Sequence, residues 1–217
     1  MASQLIYGKQ PVAEAERGRR RQVNRVWRTP ETSPEELERL CGSPDHQGVV
    51  AEVGPYPYGD PRGMLRGEDA LLVALDQVQD PRNLGAVCRS AEAAGAGGVV
   101  IPDRRSAEIT AVACKASAGA VEHLRIAHVR NLADWLGEAK QAGFWIWGAD
   151  AGAEQAPWDV DLKGPTVLVL GGEGKGLRPR VASACDGLIA LPQRGKIDSL
   201  NVSAAATALL FEAVRQR

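Results

Sequence analysis

Through the last two thirds of the chain, short apolar runs alternate with stretches of helical periodicity. Leu71 to Leu75 is continuously apolar, as a strand covered on both faces requires. Asn83 to Ala94 places Leu84, Val87, Cys88 and Ala91 at i, i+3, i+4 and i+7, which predicts a helix with Asn83 as its cap and Gly95 as its stop. Further strands are predicted over Gly98–Ile101, Leu124–Ala127, Phe144–Trp147, Thr166–Leu170 and Gly187–Leu191. Helices are predicted over Glu108–Ser117, Leu132–Ala142 and Val202–Arg217. This alternation is the pattern of a parallel sheet with helices on both faces. The last helix is apolar almost all the way round, broken by Ser203, Thr207 and Glu212, so it is expected to be buried on most sides, in the domain or in a subunit interface.

The first fifty residues read differently. Pro11–Arg21 and Ser33–Leu40 are predicted helices, and Gln22–Trp27 and Gly48–Val53 predicted strands. Ser33 followed by Pro34, Glu35 and Glu36 is a helix-start signature. Residues 54–69 are dense in Pro and Gly and read as a linker. The expected organisation is a small module over 1–54, a linker over 55–69 and an α/β domain over 70–217. A module of that size buries little and is expected to lean on the larger domain or on RNA.

Composition narrows the picture only slightly. The 217 residues carry 26 basic and 27 acidic side chains, so any surface for nucleic acid has to be local. One basic cluster, Arg17, Arg19, Arg20, Arg21 and Arg25, reads first as a solvated helix face. The four cysteines form no C-x-x-C pair; Cys88 and Cys114 fit reduced core thiols, and the three histidines show no metal-ligand spacing. No stretch resembles a signal peptide or reaches membrane-spanning length, which favours a cytoplasmic protein.

The candidate chemistry lies in three polar, glycine-bearing segments that follow apolar runs: Asp76 to Ser90, Leu170 to Leu177 and Leu191 to Ser203. Loops at strand ends are where α/β proteins carry their sites, so one shared site is expected. The second segment is neither a P-loop nor a dinucleotide fingerprint. Its glycines suit close approach of a ligand to the backbone, or simply a tight turn, and Glu173 is a candidate polar contact. Arg89 lies off the apolar face of its helix and suits a phosphate or an oxyanion, or a surface pair with Glu92. Ser199, Asn201 and Ser203 suit a ligand or a helix cap. Hydrolytic chemistry is unsupported, for there is neither a Ser-His-Asp set nor a paired carboxylate.

At these residues the chain resembles the SpoU (TrmH-like) branch of the SPOUT RNA methyltransferases. Its three motifs occur in order, as D-P-R-N-L-G-A-V-C-R-S, L-G-G-E-G-K-G-L and L-P-Q-R-G-K-I-D-S-L-N-V-S-A-A-A, and the resemblance runs from about Leu71 to Arg217. It implies an α/β domain with a C-terminal trefoil knot, S-adenosylmethionine as cofactor, a homodimer with its site at the interface, no metal, and methylation of a ribose 2′-hydroxyl in RNA. By the same resemblance Asn83, Arg89, Glu173, Ser199 and Asn201 form the catalytic set, and Gly171, Gly172, Gly176, Leu191, Leu200 and Ser203 hold the cofactor. The N-terminal stretch I-Y-G-K-Q-P-V-A-E-A, with C-G-S-P-D-H-Q-G-V-V-A-E-V, resembles a ribosomal-protein-like α+β RNA-binding domain on the branch that methylates a guanosine of large-subunit rRNA. It departs from that pattern at Lys9, where the family usually has His, and it is shorter between Trp27 and Leu37. The expected alternatives are a tRNA ribose methyltransferase of the same superfamily and a catalytically silent RNA-binding or ribosome-assembly protein.

Overall fold

A computed structural model describes residues 3–67, 70–174, 176–197 and 199–217. Glu68 and Asp69 of the predicted linker, Lys175 of the second motif and Asp198 of the third lie outside the described residues. The chain divides into two compact units. The first comprises Met1–Pro57, Pro81–Arg89 and Glu108–His123; the second comprises Tyr58–Asp80, Ser90–Ala107 and Leu124–Arg217.

In the first unit, β1 (Gln4–Tyr7), β2 (Val23–Arg28) and β3 (Val49–Val53) form an antiparallel sheet in the order β1-β3-β2. Strand β1 escapes the sequence reading, being only four residues long. Helix α1 (Lys9–Gly18) stops three residues short of the predicted end, because Arg19 takes a left-handed conformation at φ 49°. Arg21 therefore lies off the helix, and it corrects the picture of a solvated arginine face. Only 6% exposed, its guanidinium donates from Nε to Glu122 Oε1 at 3.1 Å and from Nη1 to Gln4 Oε1 at 2.9 Å. Helix α2 (Pro34–Cys41) begins as its sequence dictates: Ser33 Oγ accepts from the Glu36 amide at 3.2 Å.

The second unit is built on six parallel strands in the order β6-β5-β4-β8-β7-β9: β4 (Leu71–Asp76), β5 (Gly98–Pro102), β6 (Ile126–Val129), β7 (Trp145–Ala149), β8 (Thr166–Gly171) and β9 (Gly187–Ile189). Strands β4 and β5 are buried at every position, which is why their sequences are uninterrupted apolar runs. Leu72, Val100, Val167 and Val169 of the sheet pack with Leu132, Trp135 and Leu136 of α5 (Leu132–Gln141), and with Phe144, Leu177 and Val181. The Pro/Gly-rich stretch after Tyr58 lies along the sheet edge, with the Gly59 amide donating to Ile126 O at 2.8 Å and Trp135 Nε1 donating to Pro61 O at 3.2 Å.

Several predicted boundaries move. Helix α3 (Pro81–Ala93) starts at Pro81, so Asn83 stands inside the first turn instead of capping it. Helix α4 (Ala111–Ala116) is shorter than expected, since Thr110 interrupts it as a cap and accepts from the Ala113 amide at 3.5 Å. A short α6 (Pro179–Ala182) precedes β9, and α7 (Val202–Gln216) closes the chain. Helix α7 buries Val202, Ala206, Leu209, Leu210 and Ala213 but leaves Phe211 47% and Val214 41% exposed, so within one chain its burial is one-sided. Among the described residues, no helix is long and apolar enough to cross a membrane.

Candidate functional site

Because all six strands run the same way, the segments that follow β4, β7, β8 and β9 gather at one edge of the sheet. The second motif forms the centre of that edge. After β8 the chain folds back on itself, with the Gly176 amide donating to Gly172 O at 3.2 Å and the Gly172 amide donating to Asp76 O at 2.8 Å. The fold-back has no room for side chains. A Cβ on Gly171 would overlap the Gly176 carbonyl, and one on Gly172 would stand 2.5 Å from the carbonyl oxygen of Gln77. Gly171 and Gly172 are therefore required by backbone approach, whereas Gly174 and Gly176 meet no such crowding and take left-handed conformations at φ 72° and 60°.

Asp76 fixes the turn from the side. Its carboxylate is buried at the end of β4, where Oδ2 accepts from the Arg178 amide at 2.8 Å and Oδ1 accepts from Arg178 Nε at 2.7 Å. Two arms of one residue thus clamp the far end of the glycine turn to the strand beside it. Gln77, just past Asp76, is held at φ 61°.

The third motif runs from β9 to α7. Asn201 caps α7: its Oδ1 accepts from the Ser203 amide at 2.9 Å and from Ser203 Oγ at 2.6 Å. Between this motif and the glycine turn lies a cavity of about 640 Å³. Leu170, Ile189, Leu191 and Leu209 give it apolar walls, and Glu173, Asp150, Gln193, Ser199 and Asn201 supply polar groups. Of the residues expected from the sequence, the structure brings together Gly171, Gly172, Gly176, Glu173, Leu191, Ser199, Leu200 and Asn201. Ser203 is not part of the lining and acts on it through Asn201. The lining contains neither Asn83 nor Arg89; both stand on the part of α3 that belongs to the first unit. Arg89 is exposed, off the buried face of Leu84, Val87, Cys88 and Ala91, and has no carboxylate partner among the described residues, Glu92 included.

Sequence reasoning missed Asp76, Asp150 and Gln193. The signal for Asp150 was its place one residue beyond a strand at the functional edge. A smaller hollow of about 410 Å³ adjoins, lined by Asp76, Gln77, Gln79, Arg178 and again by Glu173 and Gly176, so the glycine turn is the wall between two concave surfaces.

Residues 70–211 match the model of the SpoU rRNA Methylase family. The chain belongs to that family. Among its SpoU relatives it is 44% identical over 177 residues to a protein of Bacillus subtilis (strain 168) named as a TrmH-family tRNA/rRNA methyltransferase, covering 79% of this chain and 71% of the relative. It spans 61% and 63% of the lengths of two further relatives, from Mycolicibacterium gilvum and Synechocystis. The SpoU methyltransferase AviRb of Streptomyces viridochromogenes, solved with S-adenosylmethionine, superposes with a TM-score of 0.85 at 27% identity, covering 99% of this chain and 90% of that one. A structure described as an RNA 2′-O ribose methyltransferase gives a TM-score of 0.81 at 27% identity, covering 98% and 88%. The SpoU family uses S-adenosylmethionine. The 640 Å³ cavity fits such a group on its own chemistry: apolar walls for a base, exposed glycine backbone for polar contacts, and carboxylates of Asp150 and Glu173 for a cation.

Proposed function

We propose that this chain transfers a methyl group from S-adenosylmethionine to the ribose 2′-hydroxyl of an RNA nucleotide, with a guanosine of large-subunit rRNA as the substrate. The observation that carries the reading is the cavity in which the second and third SpoU motifs meet. Gly171, Gly172 and Gly176 present backbone groups to the cofactor, and Leu191 and Leu200 supply apolar contact. The cofactor brings a methyl group already activated by its sulfonium. What remains for the protein is alignment of the ribose oxygen and control of its proton.

Arg89 is assigned to the ribose oxygen or the adjacent phosphate. A guanidinium holds its proton too tightly to serve as a base, so its work is electrostatic, stabilising charge that develops on the oxygen. Glu173 and Asn83 orient Arg89 or the nucleotide, and Ser199 and Asn201 hold phosphate or ribose. A homodimer belongs to the same proposal, since Ala204, Ala208 and Phe211 leave one apolar side of α7 open to solvent in the single chain. So does a trefoil knot in the segment carrying the second and third motifs. The guanosine rests on the N-terminal sequence motif. Ribose-methylation mapping of rRNA and tRNA from a deletion strain decides it, and a lost tRNA mark in place of an rRNA mark replaces that substrate.

Arg89→Ala is the direct test. Methyl transfer to RNA is expected to fall by about 10²–10³-fold, as when one transition-state donor is removed. Calorimetric affinity for S-adenosylmethionine is expected to stay within about twofold, because the cavity that holds it lacks Arg89. Transfer at the parental rate would remove Arg89 from the mechanism, and a parental chain without affinity for the cofactor would leave only a silent RNA-binding role.

A further inference from the structure

Five arginines from three separate segments that follow strands surround one hollow on the functional edge of the sheet. Arg104 and Arg105 follow β5, Arg130 follows β6, and Arg178 and Arg180 follow the glycine turn after β8. The hollow measures about 660 Å³, and Gln77, Pro102, Asn131 and Asp134 complete its lining. Asp76 takes Arg178 at 2.7 Å and Asp134 takes Arg180 at 2.6 Å. Arg104, Arg105 and Arg130 are exposed and have no carboxylate partner among the described residues. In a chain whose formal net charge is −1, three uncompensated guanidinium groups around one concave surface are a local feature against the global balance.

The loop that carries two of them is held in place. Arg105 sits at φ 58°, in the left-handed region that a bulky side chain adopts only when its surroundings fix it. The Ala107 amide, two residues on, donates to Val78 O at 2.8 Å and so ties this loop to the one after β4. Gln77 and Arg178 line the arginine hollow and also the 410 Å³ hollow, which shares Glu173, Gly172 and Gly176 with the 640 Å³ cavity. The three surfaces are contiguous along one edge.

We propose that Arg104, Arg105 and Arg130 form a track for the phosphate backbone of the RNA substrate, running from the methyl-transfer cavity toward β5 and β6. Guanidinium forks match phosphate oxygens in pairs, and spacing them around an open hollow suits successive phosphates of a chain. Among the described residues no aromatic side chain lines the hollow, so it offers guanidinium groups to phosphates and no stacking platform for bases. The inference rests on the proposed function and adds a binding surface that the three motifs do not contain.

The test is a triple variant, Arg104→Gln, Arg105→Asn and Arg130→Gln, in the full chain; Asn at 105 tolerates the left-handed backbone. Binding of a fluorescein-labelled RNA stem-loop is followed against salt concentration. The slope of log affinity against log salt is expected to become shallower by about 2 to 3, and affinity near physiological salt to fall about tenfold or more. Calorimetric affinity for S-adenosylmethionine is expected to be unchanged, which also reports that the variant is folded. A variant with the parental slope and affinity, and intact cofactor binding, overturns the track and leaves the methyltransferase reading standing. A parental chain that shows no salt-dependent RNA binding strikes the methyltransferase reading itself, and the track with it.

Discussion

Gly171 and Asp76 hold one junction by opposite means, the first by having no side chain and the second by keeping a buried charge satisfied. Gly171→Ala would set a methyl group against the Gly176 carbonyl, and backbone has to move to admit it. We expect a loss of about 1–3 kcal/mol in urea denaturation and weakened binding of S-adenosylmethionine, because the displaced backbone is the cavity wall. An alanine variant of parental stability and cofactor affinity would mean that the turn opens freely. The glycine motif was legible in the sequence, but its reason was not, since the approach is between residues five apart that only the folded turn brings together. Asp76 heads the segment that carries the first motif, but its role was not legible there, because its partner Arg178 stands 102 residues away. Cys88 and Cys114 were legible as buried thiols from their helical, apolar neighbours, and burial pushes the Cys114 thiol up to about 11. Arg21 was not, since three arginines in a row give no sign of which one turns inward.

At the scale of elements, α7 shows a helix end held by side chains. Gln216 donates from Nε2 to Pro157 O at 3.2 Å and accepts from the Leu162 amide at 2.9 Å, which fastens the last turn to the segment before β8. Glu212 supports it: hydrogen bonds from Arg215, and then from Gln216, lower its carboxyl from the ordinary value near 4.5 to about 2. A carboxyl whose pKa is lower folded than unfolded contributes stability that is complete above the unfolded value. That contribution is lost as pH falls from about 4.5 through about 2. Glu212→Gln is therefore expected to lower the thermal midpoint at pH 6 and to flatten its decline between pH 5 and pH 2, as read by circular dichroism. Equal declines in parent and variant would show that the carboxylate contributes nothing to the fold. The apolar sequence of α7 announced burial correctly for Leu209, Leu210 and Ala213. It gave no means of telling the buried Leu210 from the exposed Phe211, since the two look alike in a sequence. Helix starts were missed at α3 and α4 for a local reason: Pro81 and Thr110 each set the first turn more strongly than the periodicity behind them.

At the scale of the whole molecule, the first unit is assembled from three separate stretches of chain, and one buried ion pair shows what that implies. The composition break at 54–69 was plain in the sequence, as was the alternation that builds the parallel sheet. The union of Met1–Pro57 with Glu108–His123 was not, because it is written in a pairing across 101 residues. Arg21 and Glu122 are 6% and 3% exposed, and Nη2 of the arginine stands 2.5 Å from Oε1 of the carboxylate. The same guanidinium donates to Cys114 Sγ at 3.2 Å, and Tyr56 donates its hydroxyl to Val121 O at 2.8 Å. A fragment ending at Pro57 would keep Arg21 and Tyr56 and lose every one of these acceptors except Gln4. An unpaired buried charge costs far more than a pair contributes, so such a fragment is expected to be unfolded by circular dichroism. In the full chain Arg21→Ala strands Glu122 and is expected to cost about 3–5 kcal/mol, whereas Arg21→Met combined with Glu122→Leu removes both charges and is expected to recover most of that loss. The double variant separates the two roles the pair could play. Recovery of stability together with the proposed RNA methylation would assign the pair to folding alone, and recovery of stability without it would tie the geometry of this unit to the proposed activity.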